Sequence, residues 1–158
     1  MKFLYAIFFM FSIINANGSE IFPQNCQPML VKGETVELTT SSPAIIVIHN
    51  LSSMDLWITH PVTATTANAG WSSRIQAGNW SALALTKKKF AISCIESKPG
   101  HEQQVPCEGL LGLCQWSKIK FPESEKGTFW AAEDMSLKSL LAHIGSRGFI
   151  IQGKKDGD

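Results

Sequence analysis

The residues of this chain whose types could do chemistry are four histidines, four cysteines and a cluster of tryptophan, arginine and asparagine. Metal binding is the first chemistry to weigh. A cupredoxin copper site uses two His, a Cys and often a Met, with Cys, His and Met close together on one loop. Here His101 follows Cys94 by seven residues, but no Met follows on that loop; Met29 and Met54 lie elsewhere. His49 and His60 flank the segment DLWIT, whose two ends an extended strand would hold ~15 Å apart or more. His143 falls in a helical stretch. The sequence therefore points to no cofactor. It keeps His49, His60 and His101 as the ligands of an alternative, a cupredoxin-like metal-binding protein.

Hydrolysis is the second. A serine nucleophile needs a base within hydrogen-bond reach and a pre-set turn. No GxSxG elbow occurs. The carboxylate pairs Glu123/Glu125 and Glu133/Asp134 stand among polar residues, where a solvated face is the simpler reading than an acid/base pair. GLLG at 109–112 lacks the Lys and the helix of a phosphate loop. No catalytic residue is assigned, and the chain is read as a non-enzyme.

Recognition is the third. The segment AGWSSRIQAGNWSALAL (69–85) places Trp71, Arg74, Asn79 and Trp80 within ten residues. Trp and Arg are the types most enriched in binding hot spots, and an indole can stack on a sugar ring. Trp80 heads a strand and reads as core. Trp71 lies in a stretch read as a long loop or weak edge hairpin (63–79). The binding surface expected from the sequence is Trp71, Arg74, Asn79 and Trp80. Lys87-Lys88-Lys89 reads as a solvated turn.

Those residues need elements to hold them. The chain has 158 residues, 44% hydrophobic and 17% charged, with a formal net charge of +1. That suits one packed domain. It lacks the basic surplus that a nucleic-acid binder needs against phosphates. Val36 and Leu38 alternate with Glu37 and Thr39, as in a half-buried strand. AIIVI (44–48) is a continuous β-branched run that suits a strand buried on both faces. DLWIT, Trp80–Leu85, Phe90–Ile95, Gly109–Trp116 and Phe149–Gln152 supply further strands. From Ser136, apolar Leu137, Leu140, Leu141 and Ile144 follow the i, i+3, i+4, i+7 spacing of one helix face. Ser136 is the expected N-cap, with Glu133 and Asp134 near the positive end of the helix dipole. Gly145 or Gly148 is the expected stop. Strands at intervals of roughly ten residues predict a mainly β fold. The expected architecture is an immunoglobulin-like or cupredoxin-like β-sandwich with one C-terminal α-helix near 136–145.

The first sixteen residues, MKFLYAIFFMFSIINA, have the three parts of a secretory signal peptide. Their apolar run is too short to span ~30 Å of hydrocarbon. The expected organisation is a signal peptide (1–16), a lead-in (17–28), one sandwich domain (29–152) and a flexible tail (153–158). The exported product would not insert in a membrane. It would have no net charge, no Tyr and all five Trp. Four Cys in an exported chain imply two disulfides. A hairpin turning at 99–102 sets Cys94 opposite Cys107 and leaves Cys26 for Cys114. Pairing Cys107 with Cys114 stays open, because the glycines of EGLLGL allow a loop.

The segments SSPAIIVIHNLSSMDLWITHP, AGWSSRIQAGNWSALAL, FAISCIESKPGHEQQVPCEG and FWAAEDMSLKSLLAHIGSRGF together resemble the enhanced-entry protein EnhB family of Legionella and related gammaproteobacteria. The resemblance runs from about Cys26 to Ile151. It implies a periplasmic or secreted envelope protein linked to host-cell entry and virulence, and it brings no catalytic residues. The function expected is an exported, disulfide-stabilised interaction module. Its partner would be another envelope or host-entry protein, with no nucleic acid, and it would be a monomer or small oligomer. A peptidoglycan- or sugar-binding module is the other alternative.

Overall fold

The computed structural model describes residues 22–40, 43–60, 71–86, 89–123 and 130–152. The expected signal peptide, the start of the lead-in, residues 63–70, Lys87-Lys88, Glu125 and the tail lie outside the described residues. In chain order the elements are β1 (Gln27–Met29), β2 (Thr35–Thr39), β3 (Ala44–Asn50), β4 (Leu56–Thr59), β5 (Ser72–Ile75), β6 (Trp80–Leu85) and β7 (Lys89–Glu96). They continue as β8 (Gln103–Val105), β9 (Leu111–Trp116), β10 (Ile119–Lys120), β11 (Trp130–Met135), α1 (Leu137–Ser146) and β12 (Ile150–Ile151).

The architecture is a β-sandwich with one C-terminal helix. The first sheet runs β1-β9-β3-β6-β11 and the second β2-β7-β4-β5, with β8 also on β7. A short ribbon pairs β10 with β12. Every pairing is antiparallel.

Strand β3 shows why the sequence folds this way. Its side chains alternate between two cores, so a continuous apolar run is required. Ala44, Ile46 and Ile48 face the second sheet, where Val36, Leu38, Leu56, Ile58, Ile75 and Ile92 meet them. Ile45 and Val47 point the other way, into a second core with Ala82, Trp116, Leu140, Ile144 and Phe149. The helix therefore covers the outer face of the first sheet, and the molecule has three layers. The second sheet has one buried face only, and its strands alternate: β2 and β5 are buried at every other residue.

Helix α1 starts where expected. The Ser136 hydroxyl accepts the Ser139 N–H at 3.2 Å. Its first turn holds no acidic residue. Glu133 and Asp134 belong to β11 and turn away to other partners, so the expected dipole role is not theirs. Gly145 lies within the helix; the chain leaves it at Arg147 and at Gly148, whose φ of 83° suits glycine. The lead-in also needs revision. Phe22 packs in the helix-side core, and Gln27–Met29 pair with β9, so the fold begins before residue 29.

The disulfides join Cys26 to Cys114 and Cys94 to Cys107. This is the pairing that the hairpin geometry favoured. The first ties the start of β1 to β9; the second closes the β7–β8 hairpin inside the sandwich core. No described Cys is free. Two disulfides place the chain in an oxidising compartment. Among the described residues no helix is long and apolar enough to cross a membrane.

Candidate functional site

The four residues expected to form one binding surface are held in four different places. Strand β5 separates the first two. With a period of two, Trp71, Ser73 and Ile75 share one side, and Ser72 and Arg74 the other. Trp71 turns inward against the sandwich core, and its indole N–H donates to Glu133 Oε1 at 3.2 Å. Arg74 points to solvent, its side chain 53% exposed. The segment around it is an edge strand paired with β4, which is the edge-hairpin alternative and not the long loop. Asn79 closes the β5–β6 turn by donating to Asp134 Oδ1 at 2.8 Å. Trp80 is buried in the helix-side core, stacked on His49 at 3.8 Å and edge-on to Phe22 at 6.4 Å.

The three candidate metal ligands are likewise apart. His49 lies on Trp80. His60 Nδ1 lies 2.7 Å from the Ala91 carbonyl, and its ring stacks on Phe90. His101 is exposed in the β7–β8 turn, its N–H bonded to the Lys98 carbonyl. Among the described residues no three His, Cys, Asp or Glu side chains are grouped to hold a metal ion.

Arg74 has a different neighbour from those expected. Across the outer face of the second sheet, Arg74 on β5 is in register with Trp57 on β4, Trp57 with Ile95 on β7, and Ile95 with Gln104 on β8. The next outward row is Ser72, Thr59 and Ser93. A depression of about 270 Å³ opens between these rows, lined by Trp57, Thr59, Ser72, Ile95 and Glu102. Each strand contributes through simple alternation: Leu56 and Ile58 are buried, so Trp57 and Thr59 face out. Trp57 was legible within DLWIT, since alternation sends it to the opposite face from its apolar neighbours.

One end of the site is fixed by charge. Arg74 Nη2 lies 2.6 Å from Asp55 Oδ2, and Asp55 Oδ1 accepts the Ala77 N–H at 3.2 Å. Lys98 pairs with Glu96, which is in register with buried Leu56 and not with Trp57. Exposed pairs contribute at most ~1 kcal/mol each, so their role here is to set side-chain position.

Asp134 organises the neighbouring edge. It accepts the Gln76 N–H at 2.8 Å, the Gln76 side-chain amide at 2.9 Å and the Asn79 amide at 2.8 Å. Burial alone would raise its pKa. The bonds from Asn79 and Gln76, with the Arg74 charge, outweigh that and hold the carboxyl below its ordinary value. His49 shifts down for the opposite balance: burial disfavours its cation, and the Gly78 carbonyl opposes this only in part. Its Nδ1 is buried without a hydrogen-bond partner.

The chain matches no protein-family model, no curated protein and no solved structure.

Proposed function

We propose that this protein is an exported, disulfide-stabilised interaction module without catalytic chemistry, and that it meets another envelope component through the outer face of its second sheet. The observation that carries this reading is the row Arg74, Trp57, Ile95 and Gln104. It puts an indole and a guanidinium side by side on rigid strands, and those are the residue types that anchor interfaces. Trp80 and Trp116 are buried, so they serve packing. The buried disulfides support export to an oxidising compartment, with the periplasm as the site. The wording shared with the enhanced-entry EnhB family agrees with this setting and adds a link to host-cell entry. The non-catalytic part rests on chemistry: no free thiol stands among the described residues, and His60 is held by a backbone carbonyl.

Photocross-linking tests the reading. A photoreactive residue at position 74, in cells that export the chain, should give adducts. The same residue at position 141, exposed on helix α1 over the other sheet, should not. Equal labelling at both positions, or none at either, would remove this face.

A further inference from the structure

Resting on the reading of the chain as a binding module, we infer that the depression around Trp57 binds a neutral glycan, with the indole as the platform on which a pyranose ring stacks.

Three observations lead to sugar. The first is the mixture of groups. One aromatic plane, two hydroxyls (Thr59 and Ser72) and one carboxylate (Glu102) converge on a single open depression. A pyranose ring presents an apolar C–H face edged by hydroxyls, which donate to carboxylates and accept from hydroxyl and indole N–H groups. The second is availability. Among the described residues, Trp57 Nε1, the Thr59 and Ser72 hydroxyls and the Glu102 carboxylate make no hydrogen bond or ion pair with the protein. The third is charge. The cation in register with Trp57, Arg74, is already paired with Asp55, so it is not a free positive charge for an anionic ligand.

Size agrees with this. At about 270 Å³ and open to solvent, the depression is smaller than the ~300–1,000 Å³ of a pocket that encloses a whole small ligand. It suits one ring of a chain that lies across the sheet. Two wider depressions, of about 430 and 570 Å³, border the β10–β12 ribbon. In the first, the aromatic residue is Trp116, which is buried, with its N–H taken by the Gln24 carbonyl at 3.1 Å. In the second, Phe121 is engaged edge-on with Phe149. Neither offers a free aromatic plane.

Co-sedimentation of the whole exported chain with three insoluble polymers tests the proposal: peptidoglycan sacculi, chitin and cellulose. Binding to at least one is expected, with a Kd between roughly 1 mM and 1 μM. Sacculi and chitin without cellulose assigns the acetamido group to recognition; all three assigns the ring alone. Trp57→Ala should weaken binding about tenfold or more, and Trp57→Phe should keep part of it. Ser72→Arg fills the depression from an exposed edge position and leaves the core intact, so it should also abolish binding if Trp57→Ala fails to fold. Absence of wild-type binding to all three polymers overturns the proposal, as does full binding by folded Trp57→Ala or by Ser72→Arg. Cross-linking at position 74 to a protein, without any polymer binding, overturns the glycan and leaves the interaction module standing. No adduct at all removes this face as the meeting surface, whatever the polymers show.

Discussion

At Asp134 backbone geometry and hydrogen bonding depend on each other. Its φ is 46°, a left-handed conformation that Asp tolerates better than most residues. The irregular pairing of β11 with β6 between Ala132 and Met135 frees the residue to turn. The turned carboxylate then satisfies the Gln76 amide just past edge strand β5 and closes the β5–β6 turn. Asp134→Ala should lower stability by about 1–3 kcal/mol in urea unfolding at pH 7, because it loses these bonds and puts Ala at a positive φ. Asp134→Asn keeps the turn and one acceptor and should cost less. The two shifted groups also separate in pH. Asp134 has a depressed pKa, so its contribution is present above the unfolded-state value of ~3.9 and is lost as pH falls through the folded value. His49 is a base with a depressed pKa. The unfolded chain therefore binds the extra proton first, and stability falls as pH drops below ~6.5 toward the lower folded value. His49→Phe should flatten the urea midpoint where pH first falls below ~6.5, and Asp134→Asn should flatten it only below ~3.9.

Helix α1 and strand β3 show how much an element depends on what it packs against. Leu140 and Ile144 are the helix residues buried in the helix-side core. Leu140→Ala should cost about 2–5 kcal/mol, measured by urea unfolding, because the surrounding Ala-rich sheet face cannot collapse to fill the space. Ser136→Ala should cost about 0.5–2 kcal/mol through the lost cap. Both elements were legible in the sequence for the same reason: their apolar spacing matches one period over several residues. β3 read as buried on both faces because both a sheet and a helix cover it. β11 was not legible, and β5 only as the weaker of two readings, an edge hairpin. SSRI carries two buried positions among polar ones, and WAAEDM has small and acidic residues that favour no strand. Their conformation is imposed by pairing with β4 and β6. The site was half legible for a related reason. Arg74 was found by residue type, but its neighbour Trp57 lies seventeen positions away and meets it only through strand register. Trp71, three positions away, is sent to the opposite side.

For the molecule as a whole, the two disulfides divide the work unequally. Cys94–Cys107 spans a separation of 13 residues, within one hairpin that β7 and β8 already pair. Cys26–Cys114 spans 88 and fastens the first strand to a central part of the first sheet. In the chain-entropy account the stabilisation grows with the logarithm of the loop closed, from about 3 kcal/mol for the short bridge to about 4.6 for the long one. Packing does not reverse this order, since all four Cys are buried and each pair replaced by Ala leaves a similar small gap. The double variant Cys26→Ala/Cys114→Ala should therefore lose about 1–2 kcal/mol more than Cys94→Ala/Cys107→Ala in urea unfolding under non-reducing conditions. It should also release β1 from β9, seen as faster amide exchange at Gln27–Met29, because three residues of pairing hold that edge strand once the covalent tie is gone. The short-bridge variant should keep β1 protected and instead loosen β8, bringing faster exchange to Gln103–Val105 beside Glu102 and the outer face. If the long-bridge variant proves the more stable of the two, local packing around Cys94 and Cys107 outweighs chain entropy, and the sandwich core depends on its internal bridge more than on the tie at its edge.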